Sequence, residues 1–186
     1  YGSPVRILDN GIDGGVAFTR IGCKEYCLED FLIKNYYPGC TMVFNKALLQ
    51  IIQKHNNLGL MPYPLHDHWI NLVCTACGGK VIFDDIPHMW YRQHGNNVIG
   101  AYRSIYIRIK ENGLFSDECL RSRTVNDLVN KYEDTLDEKN KIILYDILKI
   151  KKSIRIRFKL AINPKLKPRK NIEKIAVCLI ILLGKF

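Results

Sequence analysis

No stretch of this 186-residue chain is apolar for long enough to cross a bilayer. The longest such run, Ile175 to Leu183, has nine residues, about half a membrane span. Acids are missing from the tail: Lys149 to Lys170 holds ten bases and no Asp or Glu. Aromatics thin out in the same region, with only Phe158 and Phe186 after Tyr145. That scarcity argues against a stacking platform for single-stranded nucleic acid, so no nucleic-acid partner is expected. No secretory leader opens the chain, which begins at Tyr1 and runs straight into Val5-Arg6-Ile7-Leu8, the start expected of a piece of a longer protein. No internal repeat is visible. Seven cysteines form an odd set in an otherwise ordinary composition. They read as reduced thiols in a cytosolic setting rather than as a disulfide framework.

What is present is enough for a folded core. Apolar residues make up 47% of the sequence, which excludes a disordered chain. The net charge is +10 from 28 bases and 18 acids. From Lys149 onward there are twelve bases and one acid, Glu173, so residues 1–148 are close to neutral. Basicity therefore belongs to the tail, as expected of a segment that meets an anionic membrane surface. A solvated helix face is the plainer account of the same charges.

Asp9-Asn10-Gly11 and Asp13-Gly14-Gly15 signal turns. A helix is expected over roughly 28–34, ended by Pro38-Gly39, then a short strand over Cys40 to Phe44. Asn45 should cap a helix with Leu48, Leu49, Ile51 and Ile52 on its apolar face. A second helix begins near Asp67, places Trp69, Leu72, Val73 and Ala76 on one face, and stops at Gly78-Gly79. Lys80 to Phe83 and Met89 to Tyr91 read as two strands joined by a turn. The remainder reads as helical, with capping-box starts at Thr124/Asp127 and Thr135/Glu138 and a last helix from Asn171 to Leu183 ended by Gly184.

Three segments stand out in order: Gly39-Cys40-Thr41-Met42-Val43-Phe44-Asn45-Lys46-Ala47-Leu48-Leu49, then His66-Asp67-His68-Trp69, then Tyr91-Arg92-Gln93-His94-Gly95-Asn96-Asn97. Together they resemble the second half of bacterial family-2 glycosyltransferases, especially the rhamnosyltransferase-like members, over about residues 36–102. The basic stretch and short apolar helix of the tail resemble that subgroup as well. The resemblance implies an α/β fold: the later part of an A-type nucleotide-diphospho-sugar transferase domain (residues 1–110, the acceptor side). A helical extension with a basic, membrane-facing tail follows (residues 111–186). It implies a cytoplasmic enzyme, peripheral on the inner face of the membrane. Such an enzyme transfers a sugar, with rhamnose indicated, from a nucleotide-sugar donor to a saccharide or lipid-linked saccharide acceptor.

Inverting glycosyl transfer needs a base to take the acceptor hydroxyl's proton, and a carboxylate suits that role. Asp67 matches the family's catalytic Asp; read from the residues alone, it is a helix N-cap before it is a base, and the resemblance reverses that order. Arg92 takes the role of a contact to the donor diphosphate, and His94 that of a phosphate contact or metal ligand. As plain residues they are an Arg and a His in a polar loop. Gly39, Cys40, His66 and Trp69 fall on the acceptor side, although Gly39 is also explained by the turn after Pro38. A divalent cation, Mg or Mn, is expected in the complete enzyme. The family's nucleotide-binding βαβ half and its Asp-x-Asp-like motif find no match before Gly39, so this chain by itself should be inactive.

Other clusters have simpler explanations. Cys23, Cys27, Cys74 and Cys77 have the spacing of zinc ligands, but Cys74 and Cys77 fall within an apolar helical pattern, so no zinc is expected. Asp84-Asp85 reads as a turn before Pro87. His66 and His68 should point to different faces. The alternative to an enzyme is a noncatalytic module, derived from one, that docks to a membrane or a partner.

Overall fold

The computed structural model describes residues 2–9, 12–17, 25–36, 38–55, 66–93, 120–166 and 171–186. Strands β1 (Val5–Asp9), β2 (Ile12–Ala17) and β5 (Trp90–Gln93) form one sheet in the order β2-β1-β5. β1 pairs antiparallel with β2 and parallel with β5, with Leu8 opposite Arg92. Strand β1 alternates as a half-buried strand should: Val5 and Ile7 point into the core, while Arg6 faces out and pairs with Asp13 on β2. Two short strands, β3 (Glu25–Tyr26) and β4 (Val81–Ile82), form a second, antiparallel pair. The two strands expected to be joined by a turn therefore lie in different sheets. β4 joins β3 and β5 joins β1; between them Asp84 shapes a turn by accepting from the Ile86 N–H at 3.0 Å.

Seven α-helices lie among the described residues. They are α1 (Leu28–Ile33), α2 (Lys46–His55), α3 (His66–Ala76), α4 (Leu120–Tyr132), α5 (Glu138–Leu148), α6 (Ile154–Ile162) and α7 (Asn171–Leu182). Asn45 accepts the Leu48 N–H at 3.0 Å and starts α2. Helix α3 ends where Gly78 adopts φ +79°, letting Gly79 N–H reach the Cys74 carbonyl at 2.8 Å and Gly78 N–H the Thr75 carbonyl at 3.1 Å. Gly184 closes α7 with the same pair of bonds, to Ile180 and Ile181.

Two expected helix starts fall elsewhere. Thr124 is buried inside α4, whose Val125, Leu128 and Tyr132 carry one apolar face straight through it. Helix α5 begins at Glu138 with Asp137 as its cap. The expected strand over Cys40 to Phe44 is a 3-10 turn at Gly39–Thr41. Local bonds decide it, since both the N–H and the hydroxyl of Thr41 donate to the Pro38 carbonyl at 3.0 Å.

One hydrophobic cluster joins the β3–β4 pair to the helices. Tyr26, Leu28, Phe31, Trp69, Leu72 and Val73 pack in one cluster with Leu128, Tyr132, Leu144, Ile147, Ile180 and Phe186. Residues from both sides of positions 110 and 111 share that cluster. Arg157 on α6 reinforces the packing by donating to Ile150, Lys151 and Leu182 carbonyls near the ends of α5 and α7.

Candidate functional site

Three elements converge beside the start of α3. Ser3, ahead of β1, donates its N–H to the Thr41 hydroxyl at 3.4 Å. That contact ties the sheet to the Gly39–Thr41 turn. Helix α1 is tied to α3 by His68, whose Nε2 meets the Phe31 carbonyl at 2.5 Å. Burial pushes the His68 pKa down, the Phe31 carbonyl and Asp67 pushing back more weakly. The ring is therefore neutral and donates. His66 is exposed and His68 buried, the divergence of faces that their spacing predicts.

Asp67 stands in the first turn of α3 and is 7% exposed. It is the second residue of the helix, so its position is not that of the cap. Oδ1 accepts the His68 N–H at 2.8 Å, while Oδ2 has no hydrogen-bond partner among the described residues. The positive end of a helix is a favourable place for a negative side chain. A Cβ at Gly39 would lie 2.6 Å from His66 Nε2 and 3.2 Å from Asp67 Cβ. A side chain at Gly39 would displace the exposed His66 ring and crowd Asp67. Cys40 is exposed next door; partial burial raises its thiol pKa, and the Asp67 charge adds a smaller push in the same direction. The structure therefore brings together Gly39, Cys40, His66 and Asp67.

It does not bring Trp69 to that surface. The indole is fully buried, its ring 6.1 Å from that of Tyr132, and it supports α3 from behind. Trp69 therefore has a packing role in the core. Arg92 is exposed on β5, opposite Leu8. Leu8 lies five residues along the chain from Ser3, roughly 15 Å if extended, so Arg92 sits towards the other end of β1. His94 lies outside the described residues.

The remaining clusters serve the fold. Asp84 Oδ2 meets His88 Nε2 at 2.8 Å while Oδ1 holds the turn. Cys74 and Cys77 are half-buried at the end of α3, and burial pushes the Cys77 thiol up to about 11. Cys23 lies outside the described residues, and Cys27 caps α1 with its thiol pushed up to about 12 by burial and then by Asp30. Among the described residues no three His, Cys, Asp or Glu side chains gather to hold a metal ion.

Sequence reasoning missed two positioning residues. His68 was legible as the buried member of the His66/His68 pair by helical spacing. Thr41 carried no such signal, because its role depends on Ser3, 38 residues away.

Over 108 residues the chain is 30% identical to the dTDP-rhamnosyl transferase RfbG of Shigella flexneri. The aligned part is 56% of this chain and 37% of that protein. The chain is distantly related, over part of its length, to a glycosyltransferase. Its mixed α/β architecture is compatible with part of such a domain. No family model matches the chain, and no solved structure gives a significant match.

Proposed function

We propose that the chain is the acceptor-side part of an inverting glycosyltransferase, with Asp67 as its general base. The observation that carries this is the Asp67 carboxylate. One oxygen is fixed by the His68 N–H and the other is unengaged among the described residues, beside a turn that Gly39 keeps bare. Oδ2 takes the acceptor hydroxyl's proton as that oxygen attacks the anomeric carbon. The bond from that carbon to the nucleoside diphosphate breaks, its electron pair leaves with the phosphate oxygen, and configuration inverts. Gly39, Cys40 and His66 border the acceptor.

Arg92 and His94 are assigned to the donor diphosphate, where a guanidinium engages phosphate oxygens bidentately. A divalent ion, Mg or Mn, belongs with the donor half of the complete enzyme, and no step here is routed through it. The relative's printed name supports dTDP-rhamnose as the donor. A saccharide or lipid-linked saccharide is the acceptor, met in the cytoplasm at the inner face of the membrane. A second reading, a noncatalytic docking module, is favoured by the exposed apolar side chains of α6 and α7.

Radiolabelled sugar transfer separates the two. Residues 1–186 alone should transfer nothing from dTDP- or UDP-sugars. A longer chain supplying the donor half should transfer, and Asp67→Asn should reduce its rate by about 10²–10⁴-fold while donor binding persists. Near-normal turnover by Asp67→Asn would remove the base from the proposal.

A further inference from the structure

Helices α6 and α7 pack as an antiparallel pair. Cys178 donates to the Ala161 carbonyl at 3.5 Å and Arg157 to the Leu182 carbonyl at 3.4 Å. The contact edges are therefore Arg157 and Ala161 on α6, and Cys178 and Leu182 on α7. Each helix also carries an exposed apolar stripe. On α6 it is Ile154, Phe158 and Ile162, at 58%, 56% and 72% exposure. On α7 it is Ile175, Leu179 and Leu183, at 63%, 50% and 59%. With 3.6 residues per turn, each stripe lies about 80° round from its contact edge, in the same rotational sense. Two antiparallel helices with equal offsets present their stripes on the same side of the pair. The six side chains thus make one continuous face, while Val177, Ile180 and Ile181 hold α7 to the core.

The border of that face is basic. Arg155 and Lys159 follow the α6 stripe on its outer side, exposed Lys151 and Lys152 precede the helix, and exposed Lys165 follows it. Lys159 is itself paired with Asp146 at 2.6 Å, and Glu173 meets Lys34 at 3.8 Å, so Lys151, Lys152, Arg155 and Lys165 carry the charge of the rim. An apolar face with a cationic rim fits the boundary between headgroups and acyl chains of an anionic bilayer. A second copy of the chain fits poorly, because apposing two such faces brings two basic rims together. No helix among the described residues is long and apolar enough to cross a membrane, so the pair would lie in the plane of the surface.

We propose that the α6–α7 face docks to an anionic lipid surface through Ile154, Phe158, Ile162, Ile175, Leu179 and Leu183, steered by the flanking bases. The proposal stands apart from sugar transfer and can fail without it. Removing the tail is the wrong test, since Phe186, Ile180 and Ile181 are part of the core. The test is co-sedimentation of residues 1–186 with phosphatidylglycerol-containing vesicles and with pure phosphatidylcholine vesicles, at low and high salt. The expected result is binding to the first, weakened by salt, and little to the second. Phe158→Asp with Leu179→Asp should weaken it about tenfold or more, with the circular dichroism spectrum and melting temperature kept. Arg155→Glu with Lys151→Glu should also weaken it. Undiminished binding by the folded Phe158/Leu179 variant overturns the proposal. So does an absence of vesicle binding together with a dimer in sedimentation equilibrium that the same variant dissociates.

Discussion

The two ends of α3 solve opposite problems. At its C-terminus the last carbonyls are closed off. Gly79 and Gly78 return to Cys74 and Thr75, Asn140 donates to Thr75 and Ala76 at 2.8 and 3.3 Å, and the Asp137 N–H reaches Ala76 at 3.0 Å. At its N-terminus the chain places a carboxylate, an exposed imidazole and a bare glycine turn, and leaves Asp67 Oδ2 without a partner among the described residues. Leaving backbone groups unpaired costs stability, so the bonds that satisfy these carbonyls serve the fold. At the other end a polar group is left poised, as the proposed general base requires.

Trp69 anchors the helix between those ends, so its loss should blur the difference and have the largest effect. Trp69→Ala empties a fully buried site and should cost about 3–5 kcal/mol, visible in chemical denaturation. Gly39→Ala should act on the open end alone. Its Cβ displaces the His66 ring and crowds Asp67, lowering transfer by a longer, active chain up to about 100-fold with little change in melting temperature. Asn140→Ala should do the reverse. It strips a donor from two carbonyls at the closed end, costing about 1–2 kcal/mol, with the rate of the folded enzyme unchanged.

The smallest effect is a pH dependence. Folded His68 has a lowered pKa, so below the ordinary imidazole value of 6.5 the unfolded chain binds the proton first. Stability is complete above about pH 6.5 and falls as pH drops below it towards the lower folded value. His68→Gln should flatten the melting temperature between pH 7.5 and 5. An unchanged slope would remove His68 as the buried tie between α1 and α3.

How far the sequence carried these features depended on the reach of the forces involved. Both ends of α3 and the start of α2 were readable, because Asn45 and Gly78-Gly79 act on bonds within a few residues. The 3-10 turn at Gly39–Thr41 was not, because hydroxyl and backbone bonds to Pro38 outweigh the strand preference of the residues around Val43. The parting of β4 and β5 depended on partners β3 and β1, far away in sequence. At the site, Asp67, Gly39, Cys40 and His66 came from family likeness rather than from spacing. Trp69 came from the same likeness. It shares the apolar face of α3 with Leu72, Val73 and Ala76, and that periodicity pointed to its burial all along.

The chain's two tryptophans stand at opposite extremes: Trp69 is fully buried, whereas Trp90 is 56% exposed with the Arg6 guanidinium 5.1 Å from its ring. They form a pair of built-in optical reporters. Emission from Trp69 should be blue-shifted and shielded from acrylamide, and emission from Trp90 red-shifted and readily quenched. Trp69 lies two residues from Asp67, so a saccharide settling there should perturb the shielded component. A ligand at the sheet near Arg92 should perturb the quenchable one, and a single cuvette could tell which end of the molecule has been occupied.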